Sequence, residues 1–344
     1  MLDRLGAAPL LFFLLLLGAC GHGSVLPPGP ATITAVEQTS GTNALLIGIS
    51  PVNEDVVWAS GTGGTWVRTT DGGATWVTGR VPGADSLQFR DVHAVDANTA
   101  YLLSIGNGDQ SRIYFTRDAG KTWALQFTNP DPKAFYDCMD FWDPSHGIAV
   151  SDAVNGETVM ITTTDGGAHW TRIPSPALPA ALPAEGSFAA SGTCLIVRPG
   201  GHAWNAAGTP MARLLHTGDY GRSWTVDTIP LGAISSVGFR DLEHGIVLGT
   251  DSSAATASSN DGGRTWIRGG PPPFGQGFYG GVFVPGAHRP TVVAVGPGGL
   301  AWSRDDGATW TVINNNIYWS VGFASPRAGW AIGARGRITR LSGF

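Results

Sequence analysis

The 344-residue chain holds 50 Gly, 23 Pro and 13 Trp but only 14% charged residues, a composition of turns and buried rings rather than of exposed helices. Its net charge of −5, with no basic block, offers no footprint for nucleic acid or an anionic membrane surface. Nowhere is helical periodicity sustained, and the length is that of two average domains unless a repeat ties it into one.

Residues 1–20 read as an export signal. Arg4 supplies a short positive region, Leu10 to Leu17 is an apolar run too short to span a bilayer as a helix, and small residues follow. The run ends in Leu17-Gly18-Ala19-Cys20, which resembles a bacterial lipobox. That resemblance implies cleavage before Cys20, acylation of its thiol, and a lipoprotein of the cell envelope, periplasmic or extracytoplasmic, held to the membrane by its lipid. Asp3 weakens the positive region, and an ordinary secretory signal cut at a nearby small residue also implies export. Residues 21–30 then read as a flexible tether, and 31–344 as one domain.

Within that domain the strands recur in sets. Phe89 to Val95, Thr99 to Ile105 and Arg112 to Thr116 alternate β-branched or aromatic residues with polar ones, and Trp123 to Phe127 follows. The pattern returns at Met139 to Asp143 with Gly147 to Val150, at Val237 to Asp241 with Gly245 to Leu248, and at Gly281 to Val284 with Val292 to Val295. Each set reads as strands a, b, c and d.

Between c and d sits an octapeptide, first seen as Thr69 to Trp76 and repeated as Thr116 to Trp123, Thr163 to Trp170, Thr217 to Trp224, Ser259 to Trp266 and Ser303 to Trp310. Its aspartates, Asp71, Asp118, Asp165, Asp219, Asp261 and Asp305, are separated by 47, 47, 54, 42 and 44 residues, a period of stacked supersecondary units. The hydroxyl and the carboxylate can bond turn amides, the following Gly can take positive φ, and the Trp buries a ring. The stretches resemble Asp boxes, the bacterial neuraminidase repeats. That resemblance implies a structural hairpin staple on the outside of a propeller blade and no catalytic role for the six aspartates.

After the sixth copy a last a, b, c set runs from Trp319 to Leu341 without a strand d, while Ala31 to Val36 is an orphan strand ahead of the first set. Docking the orphan as the missing outer strand yields an all-β, seven-bladed β-propeller of four-stranded blades, closed by its N-terminal strand. The stretches Val57 to Gly73 and Gly329 to Ile338 resemble the blade signature of the photosystem II assembly and stability factor family. The similarity extends over about residues 31–344. It implies a non-enzymatic scaffold that binds envelope or membrane proteins and needs no cofactor.

The rival reading is a sialidase or another glycoside hydrolase, with carbohydrate as the ligand, because sialidases share the repeat. Thr171 to Pro174 resembles the Arg-Ile-Pro motif of sialidases but trails the third octapeptide instead of preceding the first. Such an enzyme needs a nucleophile, a base and an acid at the channel mouth, where Tyr136, Asp137 and Glu185 are the candidates. Glu185 lies on the loop Pro174 to Gly186, which accounts for the 54-residue interval and is read as leaning over the axis. Arg90, Asp140 and Arg240 are the binding candidates by the same rule of converging strand starts, against a reading of all six as polar lining of a wet channel. A sugar-binding module without catalysis is the third reading.

Cys138 and Cys194 fall near strand a of adjacent blades, as a disulfide or as two separate buried thiols. No cysteine or histidine spacing suits a metal, and His93, His146 and His244 read as residues of one recurring turn between a and b. Arg68, Arg112, Arg117, Arg335, Arg337 and Arg340 could share a basic outer face or be solvated separately.

Overall fold

The computed structural model describes residues 33–251 and 256–344. The leader, the lipidation site at Cys20 and the tether lie outside the described residues.

Seven antiparallel sheets form the blades of a propeller. Blade 1 is built from Leu46–Pro51, Val57–Gly61, Thr65–Thr69 and Val77–Arg80, innermost strand first. Blades 2, 3, 5 and 6 repeat that order from Gln88, Tyr136, Ile234 and Gly280. Blade 7 takes Ser320–Ser325, Ala328–Ile332 and Arg337–Ser342 from the C-terminus and Thr34–Thr39 from the N-terminal side. The two ends pair in register from Thr34 opposite Ser342 to Thr39 opposite Arg337. Joining the ends through a ladder leaves blade 7 no open edge at the join.

Hydrophobic cores lie in the seams between blades, one cluster per seam among the described residues. At the closing seam, Leu46, Val57 and Val67 of blade 1 meet Trp330, Ile332 and Ile338 of blade 7, all fully buried. Each such side chain contributes about 1.5–3 kcal/mol, so the seam closes the ring as firmly as the ladder does.

The octapeptide makes the same turn six times, linking the third strand to the outermost one. In the first copy Asp71 Oδ1 accepts from the Thr69 hydroxyl at 2.8 Å and from the Thr75 amide at 2.8 Å, while Oδ2 accepts from the Thr75 hydroxyl at 2.6 Å. Thr69 Oγ1 in turn accepts from the Gly73 amide at 2.9 Å. Those bonds hold each such carboxyl below its ordinary range, to about 2 at Asp71, Asp118, Asp165 and Asp261. All the oxygens face the turn itself. These six carboxylates are committed to holding hairpins.

Blade 4 departs from the pattern. Its innermost strand is split into Gly186–Ser187 and Leu195–Arg198, both paired with His202–Thr209. The residues between leave the sheet and cross the propeller axis.

Candidate functional site

The crossing segment, Phe188 to Cys194, touches five other blades. Ala189 O accepts from Arg90 Nη1 of blade 2 at 3.0 Å, and Ser191 Oγ donates to Tyr279 O, beside blade 6, at 2.9 Å. Ser191 O accepts from Ser320 Oγ of blade 7 at 2.9 Å, and Thr193 Oγ1 donates to Ser236 Oγ of blade 5 at 2.7 Å. Gly192 must be glycine because a Cβ there would stand 2.4 Å from Asp91 Oδ1, and its φ is +72°. The segment is a stopper across one end of the channel. At its far end Cys194 is disulfide-bonded to Cys138 on the innermost strand of blade 3, with the Cα atoms 6.1 Å apart.

Its near end is held by Glu185. Arg213 Nε lies 2.7 Å from Glu185 Oε1, Arg213 Nη2 donates to Oε2 at 3.0 Å, and the Leu182 amide donates to Oε2 at 2.9 Å. The two side chains are 6% and 11% exposed. Glu185 therefore does not lean over the axis. It is spent on an ion pair in the seam between blades 3 and 4, because a loop this rich in Pro and Ala has few other groups with which to hold its backbone.

Arg90 and Asp137 occupy equivalent places in adjacent blades. The ladder slips one residue between Phe89 and Asp91 and again between Tyr136 and Cys138, so each is the extra residue of a β-bulge, a device that re-aims a side chain. Arg90 is aimed at the stopper. The Arg90 guanidinium lies 5.7 Å from the centre of the Trp319 ring, in cation–π range. Trp319 packs on Tyr279 with ring centroids 4.9 Å apart, and Tyr279 packs on Phe188 of the stopper at 5.9 Å. Asp137 is buried, and its carboxyl shares a hydrogen bond with that of Asp152. Burial, then the neighbouring Asp152 charge, pushes Asp137 well above the usual carboxylate range, and burial lifts Asp152 to about 6. Asp152 Oδ1 also accepts from the Ser187 amide at 3.2 Å, tying the acid pair to the root of the stopper.

Tyr136 is placed elsewhere. It is buried in the seam between blades 2 and 3, edge-on to Phe127 at 5.4 Å, and burial pushes its phenol well above its ordinary range. Tyr136 and Glu185 are not brought together, so no tyrosine–glutamate pair of the sialidase kind is assembled from these candidates.

Below the stopper the channel widens into a cavity of about 320 Å³. Asp140 faces it and accepts from the Val197 amide at 3.1 Å, with His93 Nδ1 2.9 Å from its other oxygen. Arg198 and the buried Asp91 also line the cavity, opposite Phe239, Phe283 and Phe323. Asp91, whose two oxygens accept from the Met139 and Val92 amides, is pushed well above the usual carboxylate range by burial. His146 and His244 are turn residues bonded to Asp143 and Asp241, whereas His93 belongs to a strand and faces the cavity.

Arg240 lies on the rim of the blade 5–6 seam, 2.6 Å from Asp306 Oδ1 and over the Phe283 ring at 5.6 Å. The outer-strand arginines are engaged separately, Arg68 on Trp58 and Ala97 O, Arg337 with Glu37, and Arg340 on Trp330. Among the described residues no three His, Cys, Asp or Glu side chains cluster as metal ligands.

Sequence reasoning missed Phe188, Tyr279, Trp319 and Asp152. Tyr279 and Trp319 had a readable signal, since they follow the preceding octapeptide aspartate by 18 and 14 residues, near the 19 of Arg90 and Asp137. Asp152 had none, being brought to the mouth only by the pairing of strands.

No family model and no curated protein matches the chain. Among solved structures it is similar to YCF48 bound to D1 peptide, at 17% identity and TM-score 0.66 over 90% of this chain and 94% of that one. YCF48 from Cyanidioschyzon merolae is likewise 17% identical, with TM-score 0.68 over 90% and 98%. The structure of U3-55K reaches TM-score 0.64 at 11% identity over 90% and 98%. What these likenesses share with the chain is the fold.

Proposed function

We propose that the chain is an exported, lipid-anchored Asp-box propeller that binds protein partners of the cell envelope at its stoppered mouth, without catalysis and without a cofactor. The observation that carries the reading is the stopper. Where a propeller enzyme needs an open well, this chain lays its own residues and faces them with a half-buried patch of Phe188, Tyr279, Trp319 and Arg90. Aromatic rings with an arginine are the residue types that anchor protein interfaces. The same reading fits the resemblance to photosystem II assembly factors and the D1 peptide held by one YCF48 propeller.

The hydrolase reading retains one feature in its favour, the Asp137–Asp152 acid pair beside Arg90. Against it, Asp137 is only 1% exposed, beyond the reach of a substrate.

Two measurements test the proposal. Tyr279→Ala/Trp319→Ala in the mature chain should reduce recovery of cross-linked partners from solubilised envelopes by about tenfold or more, as hot-spot truncations do, with an unchanged circular dichroism spectrum. Turnover of glycosides that is abolished by Asp137→Asn or Glu185→Gln in a folded protein would overturn it.

A further inference from the structure

Two further departures from the repeat meet in one groove. The first is at the fourth position of the octapeptide, where φ is positive in every copy. Gly72, Gly166 and Gly262 fill it at no steric cost and Ala119 and Asp306 at a small one, but blade 4 places Tyr220 there at φ 61°. A bulky side chain in the left-handed region is an outlier that persists only where something holds it, and such outliers gather at functional sites. The second departure follows the outermost strand of blade 3, Thr171–Arg172, where Pro174 turns the chain into the short 3-10 turn Ser175–Ala177.

Between them lies a groove of about 580 Å³, on the outer side of the blade 3–4 seam and away from the stoppered mouth. Trp142 and Tyr220 form its aromatic wall, ring centroids 5.4 Å apart and planes inclined at 60°, with His146 a further 5.1 Å from Tyr220. Tyr220 is 37% exposed, and its ring is seated over Gly201, where a Cβ would stand 2.6 Å from it. Thr162, Thr164 and Thr171 also line it, beside Ile173 and Pro174, together with Arg222. The neighbouring Arg172 is paired with Glu157 at 3.0 Å, which leaves Arg222 as the cation for a ligand.

We infer that this groove is a binding site for an acidic saccharide. The C–H face of a pyranose would stack on the Trp142–Tyr220 wall, its hydroxyls would meet the threonines, and a carboxylate would pair with Arg222. The volume is that of a small-ligand site, and inclined rings in a mostly apolar groove that also holds threonines match a ring that is apolar on its faces and polar at its edge.

The test uses the full mature chain, an oligogalacturonate, a neutral gluco-oligosaccharide of equal length and a proline-rich peptide, read by titration calorimetry and tryptophan fluorescence. The acidic glycan should bind more tightly than the neutral one. Tyr220→Gly, which restores the residue type of three sibling turns, should weaken that binding by about tenfold or more while melting no lower than the parent. Arg222→Gln should remove the preference for the acidic glycan and leave the neutral one unaffected. Equal binding by Tyr220→Gly, binding of neither glycan, or binding of the peptide alone would each overturn the assignment.

Discussion

Glu185→Ala distinguishes a staple from a catalyst. The substitution removes three polar contacts from a site where both partners are nearly inaccessible, the Arg213 Nε and Nη2 contacts and the Leu182 amide bond. It leaves the Arg213 guanidinium buried with the Ala180 carbonyl, 3.1 Å from Nη2, as its remaining protein acceptor. Breaking a buried pair by removing one partner costs about 3–5 kcal/mol, far more than the same pair is worth at the surface. Because the Ala153 amide donates to Glu185 O at 2.8 Å, the root of the stopper should loosen with it. The double variant Glu185→Met/Arg213→Met removes both charges at similar volume and should recover to within about 2 kcal/mol of the parent. Urea unfolding followed by tryptophan fluorescence and far-ultraviolet circular dichroism gives both numbers. A Glu185→Ala variant as stable as the parent, or a double variant weaker than the single one, would refute the reasoning.

Other perturbations probe the same elements. Asp137 and Asp152 both have folded pKa values above the unfolded one, so their contribution to stability is complete below about pH 4 and is lost as pH rises through about 6 and beyond. Asp137→Asn should therefore gain stability relative to the parent at pH 8 compared with pH 4, measured as the shift in urea midpoint; an opposite trend would contradict the buried acid pair. The octapeptide carboxylates have the reverse sign, with pKa values held near 2 at Asp71, Asp118, Asp165 and Asp261. Their contribution is present above about pH 4 and is lost as pH falls through about 2, and the Asp71→Asn/Asp118→Asn variant should show a shallower acid limb in a melting-temperature series. Cys138→Ala/Cys194→Ala opens a loop spanning 56 residues, for which chain entropy predicts a loss of about 4 kcal/mol. Hydrogen exchange should then rise first at the stopper amides, and unchanged protection there would argue that the side-chain bonds alone seat it.

Much of this molecule was legible because its information is local. An octapeptide whose hydroxyl, carboxylate and glycine all act within one turn is recognisable wherever it stands, and its six copies measured out the blades. The missing outer strand of the last set, with a spare strand read at Ala31 to Val36 ahead of the first, predicted the closure, which the structure makes with Thr34–Thr39 against Arg337–Ser342. The position of Arg90 and Asp137 at the starts of innermost strands was legible in the same way. Glu185 was misplaced because loop length says where a chain has slack, and nothing about which buried cation will take up its charge.

The sequence by itself determined the blade count, the hairpins and the order of strands, since each rests on contacts between residues close in the chain or on simple repetition. Only the tertiary structure decided that the channel is stoppered, that Arg90 lies over Trp319, and that Tyr220 faces Trp142 across a seam. Those arrangements join residues from different blades, and their distances are set by how seven sheets pack around an axis, a property of the closed ring that no single repeat contains.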